Sequence, residues 1–308
     1  MNFQQLKMLR ILDPPTANDA KTVMKISTMN GVTDFPMKSK ISAPDSTVVY
    51  TFVAPVIRYG DKLFVLDAKL GSGAYGAVYR VRDVDIKTGK IADTLALKVQ
   101  ENASVAMHQS AVCVELALAP EGSSYSFRTS IRGKPEYAFL MPLHKCTFYE
   151  RYMSSRVAPR FSHFIQEILQ LILFVDRIHS DGFLHTDIKL DNIMIAKNDA
   201  VVVIDFGISI KPGTQLPVID MISRTKHMHI PTERFGTRGS TIPATVAYDY
   251  YSVAFAIRSI AAKRYPVEFS QGLALANAVV AAPPEHRVDA YKRFTAFIRS
   301  VPEQLMRK

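Results

Sequence analysis

The chain has 308 residues, of which 48% are hydrophobic and 21% charged, so it is long enough for one large or two small domains and is not generally disordered. Its net charge is 38 − 28 = +10, which is compatible with binding to nucleic acid, anionic membranes, acidic proteins or phosphate ligands. The charge alone does not indicate which of these is the partner. No apolar run is long enough to predict a transmembrane helix, and the N-terminal residues do not resemble a secretion signal. The two cysteines, Cys113 and Cys146, do not have the spacing of metal ligands. We therefore expect an intracellular protein, cytoplasmic or nuclear, with unpaired thiols.

The first half of the chain is predicted to consist mostly of strands. Residues 1–60 are interpreted as an N-terminal extension, loosely structured up to about residue 45, with a short apolar helix over 3–12. One helix is predicted over 105–119. β-Branched and aromatic residues predict strands over 48–56, 62–69, 77–84, 95–99 and 137–141.

The second half is predicted to be mainly helical. Apolar residues at helical spacing indicate a long helix over 161–178, two short strands follow at 193–196 and 200–204, and the chain is helical from residue 248 onward. Strands first and helices later predict an α+β fold of two lobes, a β-rich lobe over 61–143 and a helical, shortened lobe over 144–308.

Three glycines, Gly71, Gly73 and Gly76, spell G-x-G-x-x-G. A dinucleotide site needs a helix after this pattern, but the residues that follow are strand-like, so the glycines belong to a hairpin. Glycines there let backbone N–H groups approach phosphates, although an ordinary glycine turn would look the same.

Charged and amide residues follow these glycines in a fixed order. Lys98 lies in a strand, Glu115 lies in the next helix as its one carboxylate, and Asp187 stands five residues before Asn192. Asp205 then ends a short strand. A cation, a carboxylate beside a metal-binding amide and a second metal-binding carboxylate are what phosphoryl transfer requires. A surface glutamate is the alternative for Glu115.

The ordered series resembles the eukaryotic-type protein kinase family over residues 62–308. The resemblance implies a bilobal fold, ATP as nucleotide, and Mg²⁺ held by Asn192 and Asp205. It further implies that Asp187 accepts the proton of the acceptor hydroxyl and that Lys189, which touches the γ-phosphate, indicates Ser/Thr hydroxyls of proteins as acceptors. Pro142, Leu143 and His144 would form the hinge between lobes. The nucleotide-binding residues it implies are Leu70, Gly71, Ser72, Gly73, Gly76, Val78, Ala96, Lys98, Glu115, Met141, Leu143 and Met194.

Further positions either match or depart from the family pattern. Asp249 would brace the catalytic loop, with a helix N-cap as the alternative, and Glu233 is expected to pair with Arg287. Thr186 replaces the arginine that in many members binds a phosphorylated activation loop. Such departures resemble those of kinases from large DNA viruses.

Two other functions fit the same residues. A small-molecule phosphotransferase of related fold would be expected to lack Lys189 and the phenylalanine after Asp205, and both are present. A pseudokinase that acts as a binding module would usually have lost Lys98, Asp187 or Asp205.

Overall fold

The structure is a computed structural model that describes residues 26–28, 37–42, 48–52, 56–59, 62–73, 76–85, 91–118, 126–129, 136–220, 227–237 and 239–306. The chain divides into two compact units, Met1–Leu143 and His144–Lys308, and each has its own hydrophobic core. No helix among these residues combines the length and hydropathy that crossing a membrane requires.

The N-terminal unit contains one helix, α1 (Ala103–Glu115), among its described residues. Its strands are β1 (Ile26–Thr28), β2 (Met37–Ser42), β3 (Val48–Phe52), β4 (Val56–Tyr59), β5 (Lys62–Gly73), β6 (Gly76–Asp85), β7 (Ile91–Gln100), β8 (Ser126–Thr129) and β9 (Glu136–Pro142). Strands β4 to β9 form an antiparallel sheet in the order β4-β5-β6-β7-β9-β8. The strands predicted from the alternation of residues 62–99 and 137–141 are thus confirmed.

Two features of this unit differ from the sequence prediction. Helix α1 ends at Glu115 rather than near residue 119, because Ala117 adopts a left-handed conformation (φ +50°) that ends the helix. The stretch predicted to be loosely structured, up to about residue 45, contains strands β1 and β2, which pair with β3 in an antiparallel sheet. The strand predicted over 48–56 is observed as β3 and the start of β4, and β4 pairs with β5. The predicted helix over residues 3–12 lies outside the described residues.

The C-terminal unit is built around helices and short strands. In chain order these are β10 (Cys146–Thr147), α2 (Phe161–Ser180), β11 (Ile193–Ile195), β12 (Val201–Val203), β13 (Gln215–Pro217), β14 (Ile219–Asp220), β15 (Phe235–Gly236), β16 (Thr241–Pro243), α3 (Val246–Arg264), α4 (Ser270–Ala281) and α5 (Pro284–Met306). The apolar face of α2, which the periodicity over 161–178 predicts, packs against α3, α5 and β12. Short strands and long helices therefore share one core, and this confirms the α+β assignment.

The end of α2 directs the chain into the loop that carries the predicted catalytic residues. Gly182 takes a left-handed conformation (φ +82°), and the Phe183 N–H bonds back to the Ile178 carbonyl at 2.9 Å. Leu184 then makes a two-bond bridge with Ile210. The loop that starts at residue 185 is therefore anchored at its first residues.

Candidate functional site

The glycine sequence forms the turn of the β5–β6 hairpin. Gly73 and Gly76 are paired in register, and Gly76 has φ +129°. A Cβ at Gly76 would lie 1.9 Å from the Val99 carbonyl oxygen, so only glycine fits there. At Gly71 a Cβ would meet nothing within 4 Å, and Leu70 and Ser72 are exposed, so this stretch of β5 borders open space.

Several predicted nucleotide-binding residues share one face of the sheet. The register aligns Gly71 with Val78 and Val78 with Lys98 across strands β5, β6 and β7. Ala96 lies two residues before Lys98 and pairs with Met141 of β9. Because side chains alternate along a strand, Val78, Ala96, Lys98 and Met141 lie on the same face, opposite the core residues of these strands. Leu143, half-buried, is the last residue of this unit.

The partner of Lys98 differs from the prediction. Lys98 Nζ donates a 3.1 Å hydrogen bond to Oε1 of Gln109 in α1, and both side chains are buried, with Gln109 only 1% exposed. Glu115 is the last residue of α1 and is exposed, so the predicted ion pair between Glu115 and Lys98 is wrong. Glu115 comes six positions after Gln109, so it lies about 9 Å further along the helix axis. Its side chain points about 120° away from the direction of Gln109, which lies on the buried face.

Asp187 lies in a buried loop of the C-terminal unit, and both oxygens of its carboxylate are hydrogen-bonded. Lys189 Nζ donates to Oδ2 at 2.6 Å, Asn192 Nδ2 donates to the same oxygen at 3.1 Å, and His229 Nε2 lies 2.9 Å from Oδ1. Burial alone would raise the pKa of Asp187, but the hydrogen bond from His229 and the charge of Lys189 outweigh it and hold that pKa well below its usual range. The carboxylate is therefore ionised at neutral pH.

Asn192 and Asp205 provide oxygen atoms that suit a hard divalent cation. Both amide hydrogens of Asn192 point to Asp187, because Nδ2 bonds its carbonyl at 2.9 Å as well as its carboxylate, so the amide oxygen remains available. The Ile204 N–H donates to the Asn192 carbonyl at 2.8 Å. Asp205, the next residue, therefore follows a segment that is bonded directly to Asn192. Amide and carboxylate oxygens are ligands that Mg²⁺ accepts, and it usually completes its shell with water and phosphate. The donor set thus fits Mg²⁺, although no cluster of three His, Cys, Asp or Glu residues occurs in the described part of the chain.

His185 links the Asp187 loop to the Asp205 segment. Its Nε2 donates to the Ile204 carbonyl at 2.9 Å, its Nδ1 accepts from Asp187 N at 3.3 Å, and its ring lies edge-on to Phe206 at 4.8 Å. Met194, the predicted adenine contact of this unit, is half-buried in β11.

Asp249 holds the start of the Asp187 loop from helix α3. Its side chain is 0% exposed and accepts bonds of 2.8 Å from His185 N and Thr186 N and of 2.9 Å from His179 Nε2. Burial alone would raise the pKa of Asp249, but the hydrogen bond from His179 outweighs it and lowers that pKa. These bonds confirm the prediction that Asp249 braces the catalytic loop. The alternative, that Asp249 is a helix N-cap, is wrong because Thr245 is the N-cap of α3.

We predict that Asp249→Asn lowers the free energy of unfolding by about 2 to 4 kcal/mol, because one backbone N–H would face an amide NH₂ instead of an oxygen. Thr186, a β-branched residue held at φ +66°, would then lose an anchor of its strained conformation. Urea unfolding followed by circular dichroism measures the change. A lowered pKa stabilises the native state above the usual carboxyl range, so the difference between wild type and variant should be present at pH 7 and shrink below roughly pH 4.

Asp289→Asn is the matched control, because Asp289 lies on α5 with 74% of its side chain exposed. It should change stability by less than about 0.5 kcal/mol. Equal stability of Asp249→Asn and wild type at pH 7 would contradict the brace.

The segment after Asp205 is held by backbone pairing. Strand β13 pairs with β16, and β14 runs parallel to β15. The Thr186 hydroxyl donates to the Ile208 carbonyl at 2.9 Å. The predicted pair of Glu233 with buried Arg287 is present, with both Arg287 Nη atoms donating to the carboxylate.

Two residues beside the predicted site escaped the sequence analysis. Gln109 was missed because only carboxylates were considered, although its spacing from Ala106 and Cys113 marks the buried face of α1. His229 was missed because it follows Asp187 by 42 residues and belongs to no motif of the series. No local sequence signal identifies such a contact.

Comparisons with known proteins identify similar sequences. Residues 64–297 match the family model described as protein kinase domain. The chain is 26% identical over 189 residues to serine/threonine-protein kinase pakF of Dictyostelium discoideum, covering 58% of this chain and 15% of that protein. It is 28% identical to human serine/threonine-protein kinase Nek11, covering 53% and 26%, and 22% identical to serine/threonine-protein kinase PknD of Chlamydia pneumoniae, covering 77% and 28%. The chain thus spans less than a third of each of these three relatives.

Proposed function

Since the chain belongs to the protein kinase domain family, we propose that it transfers the γ-phosphoryl group of ATP, with Mg²⁺, to Ser and Thr hydroxyls of proteins. The names of the relatives support Ser/Thr as the acceptor class. Lys189, whose Nζ lies 2.6 Å from Asp187, supports it as well, because its cation can neutralise charge on the group in transfer.

The observation that carries this proposal is the environment of Asp187. A buried, ionised carboxylate, whose pKa the hydrogen bond from His229 and the charge of Lys189 lower against the effect of burial, is fixed at the head of a loop that Asp249 braces. A carboxylate held in this way can orient a hydroxyl and accept its proton when the oxygen attacks phosphorus. Such positioning is most of what an enzyme supplies to phosphoryl transfer.

The remaining residues have complementary roles in the proposal. Lys98 and the backbone N–H groups of the β5–β6 hairpin bind the nucleotide phosphates, and Val78, Ala96 and Met141 contact the base. Asn192 and Asp205 hold the metal ion. Bound Mg²⁺ would neutralise charge on the phosphates and on the departing ADP oxygen.

The alternative is a pseudokinase that binds the nucleotide but does not transfer the phosphoryl group. Catalysis takes precedence over this alternative because Lys98, Asp187, Asn192 and Asp205 are all retained.

Transfer of ³²P from labelled ATP separates these functions. The full chain should label dephosphorylated casein in the presence of Mg²⁺ and lose activity with EDTA. Labelling of small alcohols or aminoglycosides but not of protein would indicate the small-molecule enzyme. ATP binding without transfer to any acceptor would indicate the pseudokinase.

We predict that catalysis requires no phosphate on the segment between Asp205 and Glu233. Thr186 stands where an arginine would bind such a phosphate, and it already bonds the Ile208 carbonyl. Backbone pairing of β13 with β16 holds the same segment. Phosphatase treatment, verified by intact mass, should change the rate less than about twofold.

The hydroxyl groups of this segment that could carry a phosphate differ in accessibility. Ser209 is buried and donates to the Phe206 carbonyl, Thr214 is exposed, and Ser223 and Thr225 lie outside the described residues. If the rate fell by more than about tenfold after complete dephosphorylation and returned on rephosphorylation, another cation would have to replace the missing arginine.

A further inference from the structure

One contact of the catalytic carboxylate comes from outside its own loop. Lys189 and Asn192, which share the loop, occupy Oδ2 of Asp187, whereas His229 Nε2 lies 2.9 Å from Oδ1. The proposed mechanism assigns no role to this imidazole. Its contact nevertheless falls on one of the two oxygens that could receive the acceptor proton.

Helix α3 fixes the backbone around His229. The Ser252 hydroxyl donates to the His229 carbonyl at 2.7 Å, and the Tyr251 hydroxyl donates to the Met228 carbonyl at 3.2 Å. Ile230, the next residue, is buried, and its N–H bonds the His227 carbonyl at 2.9 Å. Three bonds and a buried anchor thus determine where the imidazole lies, so its contact with Asp187 is part of the packed structure.

The contact between the imidazole and the carboxylate is shielded from water. The side chains of His229 and Asp187 are 12% and 9% exposed, so water screens their interaction only weakly. Among the described residues, Lys189 shares the Asp187 carboxylate with His229, and the ring of His227 lies 5.9 Å from that of His229. In the described part of the chain Asp187 is its one ion-pair partner.

We propose that His229 is a positioning residue that fixes Asp187 Oδ1 for the transfer step. This inference rests on the proposed function. In the step concerned, the acceptor O–H bond breaks, its oxygen bonds to the γ-phosphorus, and the bond from phosphorus to ADP breaks with its electrons leaving on ADP. The proton goes to the Asp187 carboxylate. The Nε2–H of His229 donates to Oδ1 and so orients that carboxylate.

The test compares kcat and the KM for ATP in full-length wild type and variants, with labelled ATP and dephosphorylated casein. His229→Gln keeps an N–H donor, so its kcat should stay within about threefold of wild type. His229→Ala should lower kcat about tenfold or more, with the KM for ATP within about twofold.

His227→Gln is the matched control, because this ring belongs to the same segment but does not contact Asp187 in the described structure. Its kcat and its KM for ATP should stay within about twofold of wild type. A His229→Ala variant with kcat within about twofold of wild type, or a His229→Gln variant as slow as His229→Ala, would overturn the inference while wild-type transfer upholds the proposed function. A wild type that binds ATP but labels no acceptor would overturn both.

Discussion

Asp187→Asn is expected to lower kcat by about 10² to 10⁴ while ATP binds nearly as well as in wild type. The substitution keeps the size of the side chain but removes the charge and the basicity of its oxygens. Asn192 and Lys189 would then face a neutral amide, so the acceptor hydroxyl would lose its proton acceptor in an intact loop. Casein phosphorylation and ATP affinity by titration calorimetry should be measured on the same preparation.

Asp191→Asn provides the control for this experiment, because Asp191 lies in the same loop and is exposed. Its kcat should stay within about twofold of wild type. More than a tenth of wild-type turnover in Asp187→Asn would remove Asp187 from the mechanism. Mapping the sites labelled by wild type tests the acceptor class, and predominantly phosphotyrosine products would overturn the assignment to Ser and Thr.

Lys98→Met and Asp205→Asn are each expected to lower transfer by about 10² or more, because Lys98 acts on nucleotide phosphates and Asp205 on the metal. Both variants should still fold. Methionine fills the volume of the lysine stem, and the loss of the bond to Gln109 costs only about 1 to 3 kcal/mol. Asp205 has φ +70°, a left-handed conformation that asparagine also adopts readily.

The two variants should differ in their response to metal and nucleotide. Asp205→Asn should raise the Mg²⁺ concentration needed for half-maximal activity, whereas Lys98→Met should not. The controls are Asp199→Asn and Lys292→Met, because 79% and 74% of these side chains are exposed. Retention of more than a tenth of wild-type transfer in either test variant would contradict its assignment.

Local patterns in the sequence predicted the main strands and helices and the order of the site residues. Alternation with period two placed Lys98 in a strand, and helical spacing over 161–178 placed the long helix before Asp187. Asp187, Asn192 and Asp205 stand at short separations from one another, and their order after the glycines and Lys98 indicated phosphoryl transfer. Such features depend on neighbours within a few residues, and the sequence displays those directly.

Contacts between distant segments were decided only by the tertiary structure. Gln109 rather than Glu115 meets Lys98, because the start of α1 after Asn102 sets which face of that helix is buried. His229 reaches Asp187 across 42 residues, because hydroxyl groups on α3 hold its backbone. Register and packing set these pairs, and neither is encoded in the local order of residues. The sequence therefore determined which chemical groups the protein has, and the packing of strand on helix and of loop on helix determined which of them touch.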